Sequence, residues 1–332
     1  MPAGGKPTAS SSNIARYSER SSSAFDGLAA SLSAASLSAG WSESKEEDNE
    51  EAEREETVGF LSPQDQLVSI DLSPPDWTGT RGWKAWTKLE HISVSLANPL
   101  TAIARGPEAD VAFADAVVKE VKLKSDPFAR GGRSLVFYCL VKSDMKKYVL
   151  RKLVDANLPY KNRDEALKAI ARDLVRIQLL AKQAAIGFMN KVRSTGVLGG
   201  GGLSCEYIDI EVVRDNTTSD WRYWTIEPLL EGAWDKYNDN AGSVSTSPHN
   251  DFAQALSHFS YEYFSKRIIL VDVQGTLANQ HFAFTRPSFH SVDSAFGPTD
   301  LGANGIDTFF ETHKCGATCQ ALGLPKHPKQ QQ

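Results

Sequence analysis

The sequence predicts an α+β protein in two lobes: an antiparallel sheet with one long helix, then a second, more helical part. Three observations carry this. Short apolar segments separated by turns fill Val117 to Val154. A long amphipathic stretch follows, from Asp164 to Gln183. The C-terminal third then mixes a second helix, one buried strand and glycine-rich loops. Val117 to Leu123 alternates apolar and charged residues, as a half-buried strand does. Asp126 to Arg133, with Pro127, Gly131 and Gly132, is a turn. Leu135–Val141 and Lys147–Val154 have strand length and flank a charged turn at 143–146, so the three runs form an antiparallel meander.

Between Asp164 and Gln183, Leu167, Ile170, Leu174, Ile177 and Ala181 fall on one helical face, while Arg163, Lys168, Arg172, Arg176 and Lys182 lie largely off it. Strands are expected at Glu206–Val213 and Trp221–Leu230. The glycines at 199–202 read as a hairpin turn, because they lack the Lys-Ser/Thr and the strand-to-helix setting of a Walker-type phosphate loop. A second helix is expected from Asn250 to about Tyr263, a buried strand at Arg267–Val273, loops over 275–305 and a short helix from Ile306 to His313. Residues 63–115, which contain Trp77, Trp83 and Trp86, read as an irregular lead-in packed on a core.

The chain has 332 residues and a net charge of −5. Residues 43–56 hold nine acids and two bases, a local −7, so the remainder sums to +2. Residues 1–44 contain thirteen serines and little that could form a core. Such composition cannot offset chain entropy, and residues 1–62 are expected to be a disordered tail, with 326–332 a second tail. The nearly neutral remainder argues against general nucleic-acid binding. No apolar run approaches the ~20 residues of a membrane span, and no secretory signal is visible, so a cytoplasmic protein is expected. Four cysteines are too few for a disulfide scaffold. Cys139 and Cys205 sit in apolar strand contexts and read as core.

The sharpest local signal is His313-Lys314-Cys315-Gly316-Ala317-Thr318-Cys319. Imidazole and thiolates at this density suit a tetrahedral zinc site, for which His258 on the second helix is the best fourth ligand. The alternative is two buried thiols and a surface histidine. Asp272, where a buried strand opens into Gln274-Gly275, is either a turn-former or an acid placed to hold Mg²⁺ beside phosphates. The Pro127–Arg133 turn is either an ordinary hairpin or a set of backbone N–H groups aimed at a phosphate. Of Arg151 and Lys152, one faces inward if the strand is half-buried and then wants an anion; otherwise both belong to a solvated edge.

Taken in order, several blocks resemble the atypical alpha-kinase family (the myosin heavy chain kinase, elongation-factor-2 kinase and channel-kinase group). They are Pro127-Phe128-Ala129 with Gly131-Gly132-Arg133, Tyr148-Val149-Leu150-Arg151, Ile226-Glu227-Pro228, and Lys236-Tyr237-Asn238-Asp239-Asn240. Further on come Ser257-His258-Phe259, Asp272-Val273-Gln274-Gly275, Gly302 to Gly305, and His313-Lys314-Cys315 with Cys319. The resemblance spans residues 120–325. It implies a kinase-like two-lobed domain over 63–325, with the N-lobe at 63–228 and the C-lobe at 229–325. It also implies ATP- and Mg²⁺-dependent transfer of the γ-phosphate to a protein serine or threonine. A structural Zn²⁺ would be held by His258, His313, Cys315 and Cys319.

By the same resemblance, Asp272 binds metal and Gln274 lies near the phosphates. Gly131, Gly132, Arg133, Arg151, Lys152, Glu227, Lys236, Asn240, Asp300, Gly302 and Gly305 line the nucleotide site, with Glu227 at the adenine. Three positions depart from the family pattern. Arg151 stands for the strand lysine, and Thr299-Asp300 for a Gly-Asn pair. Arg286 stands where the family has its proposed general base. Arginine cannot accept a proton, so the alternative is a pseudokinase that binds nucleotide or a partner without efficient transfer.

Overall fold

The computed structural model describes residues 69–96, 111–131, 134–153, 160–196, 202–217, 219 and 221–331. Residues 1–68, and with them all of the expected N-terminal tail, lie outside the described residues.

The N-lobe strands are β1 (Thr87–Leu96), β2 (Val111–Phe113), β3 (Val117–Leu123), β4 (Ala129–Gly131), β5 (Ser134–Val141) and β6 (Lys147–Leu153). The expected meander is β3-β5-β6, antiparallel throughout. It is extended through β9 (Trp224–Pro228) and β8 (Glu211–Asp215) to an eight-stranded sheet. Because β1 pairs with both β3 and β8, six of these strands close into a ring. The ring is filled by Leu89, Val121, Cys139, Leu150, Val213 and Ile226, one inward residue per strand, with Val141 beside them. The Cys139 thiol is pushed up to about 12 by burial there, as a core cysteine should be.

The segment expected to be an irregular lead-in therefore holds the strand that closes the sheet. Its alternation is masked because both faces are covered. Leu89 points into the ring, while Ile92 is buried in a cluster with Ala166, Leu167 and Ile170 on the other side. On the inner face, one rung from Leu89, stands a polar residue. His91 Nδ1 lies 2.6 Å from Glu211 Oε2 on β8, and Lys119 Nζ on β3 reaches both Glu211 oxygens at 2.9–3.0 Å. Three strands of the closure thus meet at one carboxylate.

The long helix is interrupted. Helix α1 (Arg163–Ile170) is capped by Asn162, whose side chain accepts from the Glu165 N–H, and a π-helical turn (Ala171–Val175) leads into α2 (Arg176–Thr195). A π-turn inserts a residue into the ladder and rotates the following face. The expected single stripe breaks at that point. Arg176, expected off the apolar face, is buried with its guanidinium 4.5 Å from the Phe296 ring centroid.

The C-lobe has a sheet of order β10-β12-β13-β7, built from β10 (Ala233–Lys236), β12 (Gln274–Ala278), β13 (His281–Phe284) and β7 (Ser204–Tyr207). A two-stranded ladder joins β11 (Ile268–Val271) to β14 (Ser288–Ser291). The expected strand 206–213 is two strands in different lobes, and α2 packs in the C-lobe core against α3 (Asn250–Tyr263), with Phe188 and Phe252 ring centroids 5.0 Å apart. The chain thus enters the C-lobe well before residue 229.

Residues 275–305, expected as loops, contain three short strands. Asn279 and Gln280 both have positive φ (+49° and +63°), the backbone of a tight hairpin turn. Phe282, Phe284 and Phe289 are fully buried. The strands are only four or five residues long, so turn residues dominate the composition. The last elements are α4 (Gly302–Thr312), which starts four residues earlier than expected, α5 (Ala317–Ala321) and a 3-10 turn at Pro328–Gln331.

Glu211 makes ring closure acid-sensitive. The hydrogen bond from His91 is the main cause, with Lys119 adding to it, and the carboxyl is held down to about 2. A depressed acid stabilises the fold above its unfolded value and loses that contribution as pH falls through the folded value. Glu211→Gln should cost about 1–2 kcal/mol at pH 7. In urea titrations, the gap from the parent should close between pH 4.5 and pH 2. A gap independent of pH would show that the carboxylate charge does not hold the ring.

Candidate functional site

A cleft cavity of about 140 Å³ lies between the lobes. Ser134, Arg151, Thr225 and Glu227 of the N-lobe sheet line one side, and Thr285, Arg286 and Pro287 of the C-lobe line the other. Strand alternation turns Arg151 away from the ring interior that Leu150 fills and into the cleft, and the register sets it opposite Thr225, next to Glu227. Both side chains are buried (6% and 4% exposed), so each charge requires the other. Arg151 Nε donates to Glu227 Oε1 at 3.0 Å and Nη2 to the same oxygen at 2.5 Å. The second carboxylate oxygen accepts from Thr285 Oγ1 at 2.8 Å. Glu227 thereby ties the N-lobe sheet to the residue beside Arg286. Lys152 stands on the opposite face of the strand, its ammonium 5.6 Å from the Trp224 ring centroid, and does not join this group.

A second group forms where β11 ends. Asp272 has φ +57°, a left-handed turn that Asp tolerates better than most residues. Its Oδ1 lies 2.7 Å from Lys236 Nζ at the end of β10. The turn is held from behind, since Asn238 Oδ1 accepts from the Val273 N–H at 3.0 Å and Asn238 Nδ2 donates to Ser257 Oγ at 2.9 Å. Gln274 Nε2 donates to the Arg286 carbonyl at 3.1 Å, which joins this group to the cleft wall. Gly275 must be glycine because a Cβ there would lie 2.0 Å from the Ala283 carbonyl oxygen. The pairing sets a carboxylate able to hold a hard cation beside an ammonium able to meet phosphate oxygens.

The third group is differently arranged from the expectation. Asp300 is buried with its carboxylate filled by protein donors. Oδ1 takes the Ser291 and Gly302 N–H groups at 2.9 Å, and Oδ2 takes Ser291 Oγ at 2.5 Å and the Phe296 N–H at 3.1 Å. Its role in this structure is to organise the loop. Gly305 gives room to the His290 ring, 2.5 Å from where a Cβ would sit, and Gly302 adopts φ +67° at the start of α4. His290 accepts from the Leu301 N–H at 3.1 Å and donates to the Asn240 carbonyl at 2.9 Å, so it clamps the Asn240 loop to the Asp300 loop. Burial pushes its pKa down, which suits a ring that must both accept and donate. Gly131 pairs with Ser134 in the β4–β5 ladder, while Gly132 and Arg133 lie outside the described residues.

Far along α3, four side chains converge. The ligand atoms of His258, His313, Cys315 and Cys319 all lie within 4.8 Å of one another. Cys315 Sγ is 3.6 Å from His258 Nδ1 and 3.7 Å from His313 Nε2, and Cys319 Sγ is 3.6 Å from the same Nε2. Bonds of about 2.0–2.3 Å from a tetrahedral ion to nitrogen and sulfur give edges of about 3.3–3.8 Å, so the separations fit a zinc-sized ion. Burial lowers both histidines to about 4, which keeps the imidazoles neutral, the form that ligates. Asp251 positions α5 by accepting from the Thr318 N–H at 2.9 Å.

Sequence reasoning passed over Thr285 as a bond to Glu227, Asn238 as the brace of the Asp272 turn, and His290 as the clamp. Nothing in their spacing signals these roles, which depend on contacts between distant segments.

Alpha-kinase domains have this two-lobed fold. An alpha kinase from Entamoeba histolytica aligns with a TM-score of 0.58 at 23% identity, over 74% of this chain and 94% of that one. The alpha-kinase domain of myosin heavy chain kinase A in complex with ADP aligns at 0.53 and 24% identity, over 73% and 98%. The family model for the alpha-kinase family matches residues 129–319, more than half of the chain. The chain belongs to the alpha-kinase family. It is 28% identical over 205 residues to alpha-protein kinase vwkA of Dictyostelium discoideum, covering 61% of this chain and 31% of that protein. It is 40% identical over 111 residues to that organism's myosin heavy chain kinase B, covering 33% and 14%. Mouse eukaryotic elongation factor 2 kinase is 36% identical over 100 residues, 30% of this chain and 13% of the kinase. The matches thus span less than a third of these relatives.

Glu227→Gln should destabilise the protein by about 3–5 kcal/mol in chemical denaturation, because it removes the buried negative charge that two Arg151 nitrogens bond. Lys152→Ala, on the other face, should stay within about 1 kcal/mol. Equal losses would show that the ion pair has no special weight.

Proposed function

We propose that this chain is an ATP- and Mg²⁺-dependent protein kinase that transfers the γ-phosphate to a serine or threonine hydroxyl. The observation that carries the reading is the Lys236–Asp272 pair, 2.7 Å apart, with Gln274 linking it to the cleft wall. Asp272 would hold Mg²⁺, which when bound neutralises charge on the phosphates. Lys236 supplies a second cation for phosphate oxygens, and Gln274 fixes the wall around Arg286 through its carbonyl. Arg151, held by Glu227, presents guanidinium N–H groups on the N-lobe side of the cleft. Phosphoryl transfer depends on this kind of positioning and electrostatic balance more than on covalent help. In the step, the substrate oxygen bonds to the γ-phosphorus as the bond to the β-phosphate oxygen breaks and ADP leaves. The hydroxyl proton must then go elsewhere.

That proton is the weak point, and it supports a second reading. Arg286 lines the cleft and has no lone pair to accept a proton. Glu227 and Asp272 already have cationic partners. Without general-base help, transfer should be slower by about 10²–10⁴-fold. A module that binds nucleotide without efficient transfer is the alternative. We assign the His258, His313, Cys315 and Cys319 cluster to a structural Zn²⁺. Four protein ligands close the shell and leave no open position for chemistry.

The test is ATP/Mg²⁺ transfer to a threonine peptide by the full chain. Weak activity, abolished by Asp272→Ala and raised ten-fold or more by Arg286→Asp, is expected. Nucleotide binding with no product would favour the second reading, and product insensitive to Asp272→Ala would remove the first. For the metal, one equivalent of zinc should copurify, and Cys315→Ser should yield a C-lobe that unfolds early. Full stability after chelation would remove the zinc assignment.

A further inference from the structure

Pro325–Gln330, most of it within the segment expected as a tail, folds back over the His/Cys cluster. The Pro325 carbonyl lies 3.0 Å from His258 Nε2. A carbonyl only accepts, so Nε2 carries the proton and Nδ1 is left bare toward Cys315 Sγ. Gln330 Nε2 donates to the His313 carbonyl at 2.9 Å and lies 3.5 Å from Cys315 Sγ. Its Oε1 accepts from the His327 N–H at 2.9 Å, which fixes the amide's orientation, and lies 3.7 Å from Cys315 Sγ, farther than the Nε2. Two further contacts fasten the segment to α4. The His327 ring stacks on Phe310, with centroids 4.1 Å apart and planes 8° from parallel. Lys329 Nζ lies 3.3 Å from Asp307 and 3.5 Å from Glu311.

We infer that Pro325–Gln330 is the outer wall of the metal site, and that its docking and metal retention are one coupled event. The inference rests on the metal reading above. Each contact acts on a ligand or on the helix that ends in one. The Pro325 carbonyl sets the His258 tautomer, and Gln330 supplies an N–H to the Cys315 sulfur. An N–H donor stabilises a thiolate ligand, and outer-shell partners of this kind are worth 10–100-fold in metal affinity. The wall also covers the one cluster residue that is only partly buried, Cys315. By linkage, a bound metal favours the docked segment by the same factor that the docked segment favours the metal.

The test measures zinc release from the full chain to excess chromogenic chelator. Gln330→Ala should speed release by about tenfold. Gln330→Glu keeps the size but replaces the N–H donor with an acceptor, and should release at least as fast as Gln330→Ala. Parent-like release from Gln330→Glu would reduce the wall to packing and overturn the role given to the amide. The reciprocal readout is hydrogen exchange. Stripping the metal should accelerate exchange at 327–330 while the N-lobe ring strands keep their protection. Unchanged release in both variants, or unchanged exchange at 327–330, would overturn the coupling while leaving the zinc assignment standing. A parent that binds no zinc would fail at the first measurement, taking the metal reading and the wall with it.

Discussion

One carboxylate holds the cleft together. Glu227 is almost fully buried and spends one oxygen on Arg151 and the other on Thr285. The first bond is internal to the N-lobe sheet, and the second crosses to the C-lobe. Desolvating such a pair is expensive, and its net contribution to stability is small compared with the cost of breaking it. Its value therefore lies in geometry. It fixes where Arg151 sits, and it fixes Thr285, the neighbour of Arg286. The C-lobe wall then continues through the Arg286 carbonyl to Gln274, and through the next turn to Asp272. This chain of contacts links Glu227 to Arg151, to the Arg286 main chain and to the Asp272 turn.

The other end of the site is braced by a helix. α4 begins where Asp300 gathers four donors and where His290 clamps two loops. It ends at His313, whose N–H closes the last turn on Phe309 at 2.8 Å. The same eleven-residue rod thus carries the Asp300 loop at one end and a metal-ligand candidate at the other. The C-terminal segment adds to this by pairing Lys329 with two acids on the exposed side of the rod.

Much of this was legible in the sequence, and the exceptions have physical causes. The meander, the second helix and the convergence of His258 with the C-terminal cysteines follow from periodicity and ligand type. β1 was hidden because a strand buried on both faces, with His91 turned inward, shows no simple alternation. The break in the long helix was hidden because a π-turn shifts the stripe without any marker residue. The strands at 274–291 were hidden because their turns outweigh them in composition. Among the site residues, Asp300 was given to the nucleotide by resemblance. Its environment of four donors could not be read from spacing, because those donors come from segments up to nine residues away and meet only in the folded loop.

Arg286 can now be separated from the fold that carries it. Its main chain does the structural work, since its carbonyl takes the Gln274 amide and the flanking Thr285 N–H bonds the Gln274 carbonyl at 3.1 Å. Any residue offers those groups. The backbone there has φ +56°, a region that Asn, Asp and Gly enter most readily. Arginine has no conformational advantage at this position and carries a small backbone penalty. Neither of those main-chain bonds nor the φ value requires an arginine. Under the proposed function, an arginine lining this cleft would add a cation near the phosphates, while withholding the lone pair that a hydroxyl proton needs. The same substitution therefore favours holding an anion and disfavours activating a hydroxyl.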